Sequence, residues 1–182
     1  MSPTTPKSRR RIGFAFALLS LLAWGCPRAE DQRVNRGGDP FFQISHALGR
    51  CPAPLGPLET EAEWVAQSHY RIERGNSCWW EGRCRLSNSY LYDKEIADSV
   101  KRRLSFIERS THWKDGTTLW LTLQRRFIVV QGCVTPGFDK QAFLAELAKT
   151  ADVERVIDET TSDPKAPPPY GTLANPTAPV NE

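Results

Sequence analysis

Five cysteines and three histidines are the residues of this chain with the widest chemical reach. Thiolate and imidazole can hold zinc or form a nucleophile–base pair. Their spacing argues against both uses. Cys78 and Cys84 stand six apart rather than at CxxC spacing, and His46, His69 and His112 form no HxxxH or HExxH. No catalytic residue, metal site or cofactor is assigned. Glu59, Glu61 and Glu63 cluster, but acids ahead of a helix ordinarily serve its cap and dipole. Gly37-Gly38 is too little for a phosphate-cradling loop. In an oxidising compartment Cys51, Cys78, Cys84 and Cys133 make an even set and two disulfides, with three connectivities open. Cys78 with Cys84 would close a short hairpin, and Cys51 with Cys133 would then tie two halves together.

The compartment is read from the first residues. Lys7, Arg9, Arg10 and Arg11 precede an uncharged run from Ile12 to Gly25. The run is short for a membrane span and has the order and length of an export signal. Leu22-Ala23-Trp24-Gly25-Cys26 resembles a bacterial lipobox, which predicts lipidation at Cys26. Ordinary cleavage near Ala29 is the alternative. The expected location is the periplasm, anchored by lipid to the bacterial outer membrane. The net charge of +3 misleads, because residues 1–25 hold four cations and no acids, leaving −1 on the rest. Charge therefore gives no support for a nucleic-acid partner.

These residues need elements to position them. The organisation read from the sequence is a signal over 1–25, a tether over 26–38, a cysteine-containing region over 39–92, a second region over 93–160, and a disordered proline-rich tail over 161–182. Thr60-Glu61-Ala62-Glu63 has the form of a capping box. A helix should run from it to Arg74 and stop at Gly75, with Ala62, Val65, His69 and Ile72 on one face. Residues 76–92 read as a hairpin or a disulfide-stapled loop around Glu81-Gly82. Asp93 reads as the N-cap of a helix over 94–108 that buries Ile96, Val100, Leu104 and Ile107. Leu119, Leu121 and Leu123 alternate with polar or bulky neighbours in a strand, and Phe127 to Val134 makes its antiparallel partner. A helix over 140–150 buries Phe143, Leu144, Leu147 and Ala148, and Val153, Val156 and Ile157 form a last strand.

That order over 93–160 resembles the BON domain, a small module of bacterial envelope proteins. The carrying residues are Asp93 with Ile96, the alternating first strand, Val130-Gln131-Gly132-Cys133-Val134 with its internal glycine, Ala148, and Val153 with Val156. Asp152 stands where the family often has glycine, and Arg125-Arg126 replaces an Asn-Gly type of turn. The resemblance implies an α+β fold, αββαβ with a mixed three-stranded sheet, and a non-enzymatic role at phospholipid membranes.

Two surfaces follow as candidates. Lys101, Arg102, Arg103, Arg109, Arg125 and Arg126 could meet anionic lipid headgroups, each contact contributing about 1 kcal/mol at a membrane surface. Their bland reading is a solvated helix face. Trp79, Trp80 and Trp113 could anchor an envelope protein, since tryptophan is enriched where binding energy concentrates. Their bland reading is packing against the disulfides and core.

Overall fold

The computed structural model of the chain describes Met1 and residues 32–163 and 165–177, the side chains of 72–76 excepted. Apart from Met1, the expected export signal over 1–25, with Cys26 and the start of the expected tether, lies outside the described residues.

Strand β1 (Phe41–Gln43) is followed by α1 (Glu61–Trp80), α2 (Ser89–Thr111), β2 (Thr117–Gln124), β3 (Phe127–Val134), α3 (Lys140–Ala148) and β4 (Arg155–Thr161). The class is α+β and the sheet is mixed, as expected, but it has four strands rather than three, in the order β1-β2-β3-β4. β1–β2 and β2–β3 are antiparallel, and β3–β4 is parallel across the α3 connection. The added strand comes from the region before residue 93. The boundary drawn at 92/93 falls inside α2, and residues 31–182 form one compact unit.

The alternation in β2 and β3 does what its periodicity dictates. Leu119, Leu121 and Leu123 lie on one face with Ile128 and Val130 of the partner strand. α2 lays Ile96, Val100, Leu104 and Ile107 on that face, and α3 adds Phe143 and Leu147. Each such buried side chain contributes about 1.5–3 kcal/mol. Leu144 is only half-buried and Ala148 is exposed, because α3 meets the sheet along a narrow stripe. The internal glycine of β3 is obligatory. Gly132 has φ +131°, and a Cβ there would lie 2.1 Å from the Thr118 carbonyl oxygen.

Three local expectations are corrected. α1 passes through Gly75 and ends at Trp80; Gly82 (φ +71°) supplies the left-handed stop, and Cys84 N–H donates to the Cys78 carbonyl. No hairpin forms over 76–92; of the two alternatives the stapled loop holds, with the Cys78–Cys84 bond spanning the Glu81-Gly82 turn. Asp93 is not the N-cap of α2: Asn88 is, accepting from Leu91 N–H. Buried Asp93 instead accepts from the backbone N–H of Arg125 at 2.9 Å and of Arg126 at 2.7 Å. Both arginines have positive φ (55° and 64°), so the carboxylate secures a two-residue hairpin turn that Asn-Gly would ordinarily favour. Burial, opposed by those two hydrogen bonds, pushes the Asp93 carboxyl up to about 6.

The ends of the unit are also more ordered than their composition suggests. Val34 and Glu59 form a two-hydrogen-bond antiparallel bridge, so the last part of the tether is docked. Within the described part of the tail, Tyr170 is buried and donates its hydroxyl to the Pro52 carbonyl at 2.7 Å. Leu55 N–H donates to the Gly171 carbonyl. Burial pushes the Tyr170 hydroxyl up to about 12.

Candidate functional site

The second face of the sheet carries Thr122 and Gln124 of β2, Val129 and Gln131 of β3, and Glu159 of β4. Register places them together: Thr122 pairs with Val129, and Gln131 with Glu159. No helix closes a dry core over this face. Residues 55–59, the first turns of α1, and tail residues Pro169, Tyr170, Gly171 and Pro176 wall a cleft of about 410 Å³ above it. That size lies within the range of small-molecule sites.

A charged cluster supports one wall. Arg71 of α1 has no exposed surface, and its Nη1 donates to both oxygens of Asp39 at 2.7 Å. Its Nη2 lies 3.4 Å from Oε1 of Glu59. The guanidinium also lies 5.2 Å from the Trp64 ring centre and 5.4 Å from that of Tyr90. Gln124 donates to Asp39 at 3.1 Å. Buried charges persist only when paired and hydrogen-bonded, and here two buried carboxylates share one guanidinium. Desolvation, partly offset by Arg71, raises the Glu59 carboxyl above its ordinary range. Next to it, Arg33 donates two hydrogen bonds to Glu63 at 2.6 and 2.8 Å, and Glu63 also completes the capping box with Thr60. Arg33 is the main cause that lowers the Glu63 carboxyl.

Three lining side chains each carry a buried oxygen with no hydrogen-bond partner among the described residues: Glu59 Oε2, Thr122 Oγ1 and Gln131 Oε1. The amide of Gln131 is otherwise fixed by donation to Glu159 at 2.7 Å. None of these residues stood out in the sequence for binding. Glu59 was grouped with Glu61 and Glu63 as a helix-terminal acid; the latter two do lie in the first turn, whereas Glu59 is buried beside Arg71. The polar position at Thr122 followed from strand alternation, but those of Gln124 and Gln131, and what covers all three, did not.

The sequence-derived candidates separate in space. Cys51 bonds Cys133 and Cys78 bonds Cys84. The first bond fastens the loop after β1 to the cleft-side face of β3, and the second caps the end of α1. Of the six basic residues, Lys101, Arg102 and Arg109 are exposed on α2. Lys101 lies 3.5 Å from Asp98. Arg103 pairs with Glu146 of α3. Arg126 donates to the Asp152 carbonyl and stacks over Tyr92, and Arg125 lies over Phe127. The six therefore form no continuous basic surface.

Trp113 is in the core, its indole N–H donating to the Leu104 carbonyl, and is not available to a partner. Trp79 and Trp80 are 43% and 78% exposed and meet edge to face with ring centres 5.1 Å apart. The shared face of α1 points outward: Ala62 and His69 are exposed and Val65 is 60% exposed, while the side chain of Ile72 lies outside the described residues. Among the described residues no group of histidine, cysteine and acidic side chains is placed to hold a metal, and no helix is long and apolar enough to cross a membrane. Compared with protein-family models, curated proteins and solved structures, the chain matches none.

Proposed function

We propose that this protein is an exported, non-enzymatic docking module of the bacterial envelope that engages a protein partner through the outer face of α1. The observation that carries this reading is the exposure of Trp79 and Trp80 on a helix end fastened by the Cys78–Cys84 bond. Aromatic anchors held on a rigid element lose little conformational entropy on binding. Val65 and His69 extend the same face toward the helix start. A protein partner fits better than an anionic membrane here, because the last turn of α1 holds no basic residue and its first turn holds Glu61 and Glu63. Export, lipidation at Cys26 and the BON-like character of residues 93–160 belong to this reading as proposals. The two disulfides agree with an oxidising compartment.

The test is crosslinking of the full chain in envelopes, followed by purification and titration of the captured protein. Trp79→Ser with Trp80→Ser should weaken binding at least 100-fold, and salt should change it little. A partner that binds the double variant as tightly would refute the reading.

A second reading keeps phospholipid as the partner, and one observation favours it. Phe106 is 65% exposed on α2, one turn from both Arg102 and Arg109, which gives an apolar side chain flanked by cations. Flotation of the full chain with anionic and neutral vesicles decides it. Binding confined to anionic vesicles, salt-sensitive and lost on Phe106→Ser, would support this surface. Equal behaviour of the variant would remove it.

A further inference from the structure

The cleft on the second face of the sheet has fewer cations than carboxylates. Arg71 is shared between Asp39 and Glu59, both buried, and Arg33 is committed to Glu63. Glu159 faces the same cleft and spends one oxygen on the Gln131 amide. The partnerless oxygens of Glu59 and Gln131 are acceptors and the Thr122 hydroxyl accepts as well as donates; buried polar groups without partners are costly to keep. Glu59 cannot turn away to solvent, because its backbone is bridged to Val34 and its other oxygen faces Arg71. Leu55, Pro57, Val129 and Pro169 add apolar wall, and the volume of about 410 Å³ far exceeds what a bare metal ion needs.

We propose that this cleft binds a small organic cation, a primary ammonium or guanidinium on a short apolar stem. The charged head donates to Glu59, with Thr122 and Gln131 as further acceptors, and the stem lies on the apolar wall. The head supplies positive charge, and its several N–H groups match the acceptor set. A carboxylate or phosphate ligand would meet like charge from Glu59, Glu63 and Glu159. This site is separate from the tryptophan face, so either can fail without the other.

Agmatine, which carries both kinds of head on a four-carbon stem, is the probe, with n-butanol and butyrate as neutral and anionic controls. Each is titrated into the isotope-labelled full chain in a mild non-ionic detergent and followed by amide chemical shifts. Saturable shifts at Thr122, Val129 and Gln131 with agmatine alone are expected. Thr122→Val and Glu59→Gln should each weaken binding at least fivefold, and Trp79→Ser with Trp80→Ser should leave it unchanged. Should Glu59→Gln fail to fold, Gln131→Met on the partly exposed floor of the cleft replaces it, with the same expectation. Absence of saturation, shifts confined to other acidic surface, equal binding of butanol or butyrate, or unweakened binding by Thr122→Val and the acceptor variant that folds would each overturn the proposal.

Discussion

On the sheet face that carries Leu119, Leu121, Leu123, Ile128 and Val130, two helices close a core in which any apolar side chain of suitable volume would serve. The face that carries Thr122, Gln124, Val129 and Gln131 is covered by a bridge, a loop and a tail, and is held by particular pairings: Arg71 with Asp39, Arg33 with Glu63, Cys51 with Cys133, Tyr170 with Pro52. Burial on the first face is bulk and forgiving. Burial on the second is specific, and removing one partner strands another in a dry environment. Such a surface can hold a binding site because its polar groups are fixed before any ligand arrives.

The sharpest way to break this comparison is Arg71→Met. It leaves Asp39 and Glu59 buried without their cation and should cost about 3–5 kcal/mol in urea unfolding, at least as much as Leu121→Ala at about 2–5 kcal/mol. Adding Asp39→Asn and Glu59→Gln to Arg71→Met should recover more than half of the loss. A cost under about 1 kcal/mol would mean that the second face is ornament. Next in size, replacing Cys51 and Cys133 by serine should lower stability by about 2–4 kcal/mol, through the long loop that the bond closes. Replacing Cys78 and Cys84 should cost less, because their loop is short and sits at a helix end.

Asp93 sharpens the comparison through pH. Its carboxyl is held near 6 in the folded protein against an ordinary 3.8. A raised folded value means that this group's contribution is fully present below about pH 3.8 and is lost as pH rises through 6. Asp93→Asn should therefore flatten stability between pH 4 and 7, removing a change on the order of 2 kcal/mol. It should also destabilise the Arg125-Arg126 turn, because an amide cannot accept from both N–H groups as a carboxylate does. Thermal unfolding of both proteins across that range measures it, and parallel pH curves would contradict the assignment. The smallest effect on stability is expected for Trp79→Ser with Trp80→Ser, within about 0.5 kcal/mol per site, since both rings are exposed. A loss of several kcal/mol would show that they pack rather than dock.

The hairpin of β2 and β3, the capping box at Thr60–Glu63 and the buried stripe of α2 were legible from residue order, because each rests on contacts between neighbours in sequence or on strict periodicity. Asp152 takes a left-handed φ of 65°, which an aspartate tolerates. The end of α1 was misread at Gly75. One glycine costs about 1 kcal/mol in a helix and does not stop it when tertiary packing carries the chain on. The outward turn of Val65 and His69 was not legible, because periodicity shows which residues share a helix face, not which way the face points.

By itself the sequence determined the α+β class, the core stripe and an even set of four cysteines beyond residue 26, since these depend on spacing alone. Only the tertiary structure decided the pairing of those cysteines, the fourth strand, the burial of Asp39, Glu59 and Arg71, and the cleft that they wall. Apart from the short Cys78–Cys84 loop, those features join residues 12 to 118 positions apart, and the interaction that matters, a charge kept dry by distant chain, leaves no local pattern to read.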